Sequence, residues 1–153
     1  MTVEELAKVL EMQEEILQFS SFTNADAWEL GTMVVMEARR LGVSIAVRIR
    51  LNNGYTVFQY GMDGTNLYNE QWLTRKENTV RTLEQSSLRL YMSLRETQET
   101  LEERFLNPNE YAACGGGFPI RVEEVGVIGS IVVSGLDHVS DHDLLVKCIS
   151  KYL

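Results

Sequence analysis

The chain has 153 residues, of which 44% are hydrophobic and 24% charged, which suits a single globular domain over residues 1–153. Its formal net charge of −8 argues against non-specific binding to nucleic acid or to an anionic membrane, because both depend on Lys and Arg that neutralise phosphates. No apolar run reaches the roughly 20 residues of a membrane span, and the first residues lack the features of a signal peptide. Cys114 and Cys148 have no paired spacing, so we expect two free thiols, which is the default in a cytosolic chain.

Two helices are predicted at the start of the chain. A capping-box pattern at Thr2 starts the first helix, and apolar residues at helical spacing continue to about Phe19. A second cap at Thr23 starts the next helix, and Gly42 provides a natural residue after its last turn.

A β-hairpin is predicted next. Apolar and polar residues alternate from Val43 to Arg50, which indicates a strand whose one face carries Arg48 and Arg50. Asn52-Asn53-Gly54 predicts a type I′ turn, and Tyr55 to Tyr60 forms the return strand. The sequence leaves open whether the two arginines face solvent, a pocket or another subunit.

The middle of the chain is predicted to be helical from about Asn69 to Arg104. A capping-box pattern of Ser93 with Glu96 divides this span into a long helix and a shorter one. Asn107-Pro108-Asn109 then ends the helical region.

A second hairpin and a last helix complete the predicted layout. Phe118 to Glu123 and Val127 to Ser134 form two strands, and Ser140 caps the final helix. The order ααββααββα predicts an α+β fold with an antiparallel sheet of four to five strands flanked by helices. The helices between the two hairpins are long enough to bring the second hairpin beside the first.

Three consecutive glycines, Gly115, Gly116 and Gly117, are the most unusual feature of the sequence. Phosphate-binding glycine loops follow a strand and open a helix, whereas these glycines precede a strand. A tight turn with close backbone packing is therefore favoured, and a loop that lines a small pocket is the functional alternative. Cys114 precedes them without an evident activating group, and its role stays open.

Two histidines, His138 and His142, are four residues apart near three aspartates and are candidate metal ligands. With Ser140 as the helix cap, His138 would lie before the helix, so an ordinary capped helix start is favoured over a metal site. His142 is also the candidate general acid or base.

Arg75 and Lys76 are the candidate groups for holding an anionic ligand, although neighbours on a helix point about 100° apart. A solvated or interface role is the alternative. No Ser/His/Asp arrangement and no defined pair of acidic residues identifies an enzyme class.

Several motifs in combination resemble one family, the uncharacterised branch of the haem-degrading-domain (GlcG/HbpS-like) proteins. The motifs are Asn69-x-x-Trp72-x-x-Arg75-Lys76-x-Asn78-Thr79-Val80, Ser86-Ser87, Gly115-Gly116-Gly117-Phe118-Pro119-Ile120, Val133-Ser134-Gly135-Leu136 and Asp141-His142-x-Leu144. The resemblance implies a profilin-like fold, a cytosolic location and homo-oligomers. It also suggests haem as a cofactor.

Three hypotheses for function follow. The first is binding of a small anionic or tetrapyrrole-like ligand by Arg75, Lys76, Gly115, Gly116, Gly117, Ser134 and His142. The second is a haem-degrading-type enzyme with His142 as acid or base. The third is an oligomeric scaffold without catalysis.

Overall fold

The computed structural model describes all 153 residues and contains five α-helices, four strands and a short 3₁₀-helix. The elements are α1 (Val3–Ile16), α2 (Asn24–Leu41), β1 (Ala46–Leu51), β2 (Thr56–Gly61), α3 (Leu67–Leu83), α4 (Ser87–Thr97), the 3₁₀-helix (Glu102–Arg104), β3 (Gly117–Val122), β4 (Gly126–Ser134) and α5 (His138–Tyr152). This order confirms the predicted α+β class. None of the helices is both long and apolar enough to cross a membrane.

The four strands form one antiparallel sheet in the order β2-β1-β4-β3. The second hairpin joins the first through β1 and β4, with Ala46 opposite Ser134, as the sequence predicts. One face of the sheet packs against α2 and α5 around Leu30, Val47 and Ile149. The other face packs against α3, where Leu73 meets Ala46.

The first two helices show how tertiary contacts set the ends of elements. The cap at Thr23 and the left-handed Gly42 that follows α2 are both confirmed. However, α1 ends at Ile16 instead of continuing to about Phe19. The backbone of Phe19 instead bonds to Arg121 and Glu123 beside β3, and these bonds are incompatible with a further helical turn.

The division of the middle helical region was predicted at the wrong place. The break lies at Glu84, which has a left-handed φ of 56°, and the Ser86 hydroxyl caps α4 by accepting from the Arg89 N–H. Ser93 lies inside α4, where its hydroxyl accepts from Arg104. Ser86 and Ser87, one of the motifs of the family resemblance, are therefore the cap and the first residue of α4.

The first hairpin turn also differs from the type I′ prediction. Only Gly54 has positive φ, and its N–H donates to the Leu51 carbonyl over 2.9 Å. The Asn53 side chain accepts from the Tyr55 N–H, which keeps the asparagine in the ordinary region of backbone space. The result is a three-residue loop with a glycine bulge.

Two predicted starts also shift. β1 begins at Ala46 and not at Val43, because the Val43 N–H donates to the Ala38 carbonyl and closes the end of α2. α5 begins at His138, and its cap is Asp137 instead of Ser140. Asp137 accepts hydrogen bonds from both the N–H and the hydroxyl of Ser140, so Ser140 lies inside the first turn.

Candidate functional site

A cleft of about 400 Å³ opens where the first half of α3 faces the end of β4 and the start of α5. We call it the α3–α5 cleft. Its walls are formed by Tyr68, Asn69, Trp72, Lys76, Cys114, Ser134, Gly135, Leu136, His138 and Asp141.

A buried ion pair forms the floor of the cleft. Lys76, only 3% exposed, donates from Nζ to the Val133 carbonyl over 2.8 Å and to Asp141 Oδ2 over 3.1 Å. Asp141 Oδ1 accepts from the Leu136 N–H over 3.1 Å, so both carboxylate oxygens are engaged. Burial raises the pKa of Asp141 to about 6, although the Lys76 ammonium opposes this rise. The ammonium retains one N–H without a protein partner.

Ser134 lies beside this pair at the end of β4. Its Oγ accepts from Asn69 Nδ2 over 3.3 Å, and the Asn69 Oδ1 accepts from the Asn66 N–H at the start of α3. The amide is therefore fixed in orientation, and the Ser134 hydroxyl hydrogen is left free to donate to a ligand.

His138 contributes a further donor to the wall. Its Nδ1 accepts from the Gly115 N–H over 3.0 Å, so the neutral ring carries its hydrogen on Nε2. The ring packs edge-on against Tyr91, with 4.7 Å between the ring centroids. The position of His138 on α5 was missed because the cap was predicted three residues too late.

His142 lies behind the cleft and is not on its wall. It is 1% exposed, and its Nε2 lies 2.9 Å from Gln13 Oε1 of α1. Burial, with a smaller effect from His138, lowers the pKa of His142 to about 4. The two histidines do share one side of α5, but no group of three or more His, Cys, Asp or Glu converges to hold a metal ion.

The rim of the cleft is aromatic. Tyr68 and Trp72 meet edge to face with 6.3 Å between their ring centroids. The Arg75 guanidinium lies 4.0 Å from the centroid of the Trp72 ring and donates to the Pro108 carbonyl over 2.7 Å. Arg75 therefore supports Trp72 and anchors the loop after the 3₁₀-helix, whereas Lys76 points into the cleft floor.

The three glycines support the floor from behind. A Cβ at Gly116, which has φ of 120°, would lie 2.5 Å from Lys76 Nζ and 2.7 Å from the Val133 oxygen. A Cβ at Gly115 would overlap the His138 carbonyl, and one at Gly117 would lie 2.9 Å from Val80. The structure thus uses the glycines for close backbone packing, and the neighbouring Cys114 reaches the wall.

Cys114 is half-buried on the cleft wall, and both cysteines are free thiols. Burial raises the pKa of the Cys114 thiol, although Lys76 and Arg75 act in the opposite direction. The sequence did not predict that Asp141 pairs with Lys76 or that Tyr68 lies on the rim of the cleft. These features join elements far apart in the chain, and no local pattern marks them.

Comparison with known proteins identifies relatives over nearly the whole chain. A family model described as "Haem degrading protein HbpS-like" matches residues 22–150. The UPF0303 protein YE1367 of Yersinia enterocolitica is 40% identical over 144 residues, covering 94% of this chain and 85% of the relative.

Solved structures share the fold. The Ybr137w protein superposes with a TM-score of 0.87 at 29% identity, over 98% of this chain and 92% of that one. The PduOC:Heme complex superposes with a TM-score of 0.72 at 20% identity, over 85% and 94% of the two chains, which is a likeness of fold alone. The chain therefore belongs to the HbpS-like haem-degrading protein family, as its sequence motifs predict.

Proposed function

We propose that this protein binds a small planar molecule with at least one carboxylate or similar anionic group in the α3–α5 cleft. The observation that carries the proposal is the set of donors at one end of the cleft. Lys76 has an unused N–H, Ser134 a free hydroxyl hydrogen, and His138 a hydrogen on Nε2. Both oxygens of Asp141 are already engaged, so the floor offers donors to an acceptor-rich group.

The rim supports a flat ligand body. The rings of Tyr68 and Trp72 give the cleft aromatic surface opposite its polar floor, a combination typical of small-molecule sites. A tetrapyrrole with carboxylate side chains has this chemistry, as do smaller aromatic acids. Acidic groups of the ligand would be held by Lys76, Ser134 and His138, and the ring system would lie against Trp72.

Haem itself fits poorly with His138 on the cleft wall and with His142 behind it. An axial histidine usually donates its second ring N–H to a carboxylate or carbonyl, which leaves Nε2 free to bind iron. Here Nδ1 of His138 accepts from Gly115, so Nε2 of the neutral ring carries the hydrogen. His142 is enclosed and bonded to Gln13. We therefore assign no step to haem, and the proposal gives His142 no catalytic role.

We also propose that the protein assembles into homo-oligomers in the cytoplasm. Val9, Met12 and Ile16 lie 39%, 57% and 69% exposed along one side of α1, away from the buried Leu10. Free cysteines accord with a reducing compartment. In sedimentation velocity, Met12→Lys should lower the assembled mass, and an unchanged mass would remove α1 from the interface.

Calorimetric titration with naphthalene-2,6-dicarboxylate and with metal-free protoporphyrin IX tests the binding proposal. Loss of a donor or of the aromatic wall should weaken binding by about tenfold, so Ser134→Ala and Trp72→Ala should each raise Kd by that factor. Trp28→Ala, which removes a 63% exposed tryptophan on α2, is the matched control and should not change Kd. Equal affinities for Trp72→Ala and Trp28→Ala, or no binding of either probe, would contradict the proposal.

A further inference from the structure

We infer that Lys76 forms an imine with a carbonyl compound, an aldehyde or an α-keto acid, bound in the α3–α5 cleft. This inference rests on the binding function proposed above and names the class of ligand that the site can react with. A lysine amine becomes a nucleophile when it is removed from solvent or when a general base lies within hydrogen-bond reach. Lys76 meets both conditions, because it is 3% exposed and its Nζ lies 3.1 Å from Asp141 Oδ2 on the wall of the cleft.

Asp141 is placed to accept and return a proton. Its carboxylate contacts the amine directly, and its other oxygen is held by the Leu136 N–H. Burial raises the pKa of Asp141 to about 6, which is closer to neutral pH than the pKa of an exposed aspartate. The Val133 carbonyl accepts from Nζ over 2.8 Å, which holds the amine beside Asp141.

The step balances without an oxidant or a reductant. The Lys76 ammonium gives one proton to the Asp141 carboxylate, and the neutral Nζ then forms a bond to the carbonyl carbon. A proton moves from this nitrogen to the former carbonyl oxygen and gives a carbinolamine. The Asp141 carboxyl returns its proton to that hydroxyl group, the C–O bond breaks, and water leaves. The product is a protonated imine beside an aspartate, with the same net charge as before.

The other hydrogen-bond donors of the cleft can bind the carbonyl oxygen, which leaves as water. The Ser134 hydroxyl has a hydrogen free to bond the carbonyl oxygen, because its Oγ already accepts from Asn69. An acidic group elsewhere on the carbonyl compound would bond His138. The cleft therefore presents a nucleophile, a proton carrier and oxygen-binding donors at one place, the arrangement expected for carbonyl condensation.

The chain contains its own controls, since its other lysines are Lys8, Lys147 and Lys151, and all three are exposed. Intact protein is incubated near neutral pH with 4-carboxybenzaldehyde and sodium cyanoborohydride, and modification of each lysine is followed by peptide mass spectrometry. We expect Lys76 to be labelled about tenfold faster, or more, than the exposed lysines. Because this comparison is made within the wild-type protein, it does not depend on any variant folding.

Two variants test the role of Asp141. Asp141→Asn should slow labelling of Lys76 by about tenfold, since the amide cannot accept the proton. Asp143→Asn, which changes an exposed aspartate on the same helix, should leave the rate unchanged. Labelling of Lys76 no faster than that of Lys8, Lys147 and Lys151 would overturn the inference.

Terephthalate separates failure of the inference from failure of the binding proposal, because it keeps the aromatic carboxylate and lacks the aldehyde. If terephthalate binds in calorimetry but Lys76 is not labelled preferentially, the imine is wrong and the binding proposal stands. If Lys76 is labelled preferentially and terephthalate slows that labelling, both are supported. If terephthalate does not bind and labelling is not preferential, both are wrong.

Discussion

Replacing Lys76 with methionine tests how strongly the buried ion pair joins α3 to β4 and α5. Methionine fills much of the lysine volume but leaves Asp141 buried without its cation and the Val133 carbonyl without its donor. Breaking one partner of a buried pair costs about 3–5 kcal/mol. We therefore expect Lys76→Met to lose about 3–5 kcal/mol in the free energy of unfolding near pH 7.5.

The loss should depend on pH in a defined direction. Burial already raises the pKa of Asp141, and removal of the Lys76 ammonium removes an influence that lowers it. A carboxyl whose pKa is higher in the folded than in the unfolded state stabilises the fold at low pH and loses this effect as pH rises. The deficit of Lys76→Met relative to wild type should thus grow from pH 4.5 to pH 7.5.

Urea unfolding followed by circular dichroism measures this deficit at each pH. Lys147→Met is the matched control, because Lys147 is exposed and its partner Glu37 keeps a second cation, Arg40, so the change should cost no more than about 1 kcal/mol. A deficit for Lys76→Met below that of the control near pH 7.5, or one that is the same at every pH, would refute the reasoning.

Three further changes test other parts of the account. The pKa of His142 is about 4 in the folded protein and about 6.5 in the unfolded chain, so the unfolded chain binds the proton at higher pH. The wild type should therefore lose about 2 kcal/mol of unfolding free energy from pH 7 to pH 5. Urea unfolding of His142→Gln should lack this loss, whereas His138→Gln should keep it. Gly116→Ala should lower the melting temperature more than Gly54→Ala, since both have positive φ but only Gly116 has backbone within 3 Å of the added Cβ. Glu84→Gly should stabilise by about 0.5–1 kcal/mol by relieving a left-handed φ, and a lower melting temperature would contradict this.

Elements with local signals were predictable from sequence. The alternation before Arg50, the capping residues Thr23 and Asp26, and Gly42 after α2 each act within a few residues. Their interactions are encoded by neighbours in the chain, so the strand and helix that they define lie close to where we expected them. The same holds for the second hairpin, whose turn at Gly126 has the required positive φ.

Predictions failed where two local signals competed. Ser93 with Glu96 has a capping-box pattern, whereas Ser86 has Arg89 three residues later and no such pattern. The left-handed Glu84 nevertheless ends α3 before Ser86, without a glycine to mark the break. Asp137 and Ser140 are both good caps, and Asp137 prevails because it also binds the Ser140 hydroxyl.

The site depended on contacts between distant elements. Lys76 was predicted as a ligand-binding residue from its charge, and the structure places it on the cleft floor with Asp141 of α5. Arg75, its neighbour, turns about a quarter of a helical turn away and stacks on Trp72. Sequence alone cannot decide which of two adjacent cations faces the sheet, because that depends on how α3 is rotated about its own axis.

A crystal structure of the protein soaked with naphthalene-2,6-dicarboxylate tests the central claim most directly. We expect one carboxylate within about 3 Å of Lys76 Nζ and Ser134 Oγ, with the ring system against Trp72. A probe bound outside the α3–α5 cleft, or one whose carboxylates both face solvent, would contradict the account.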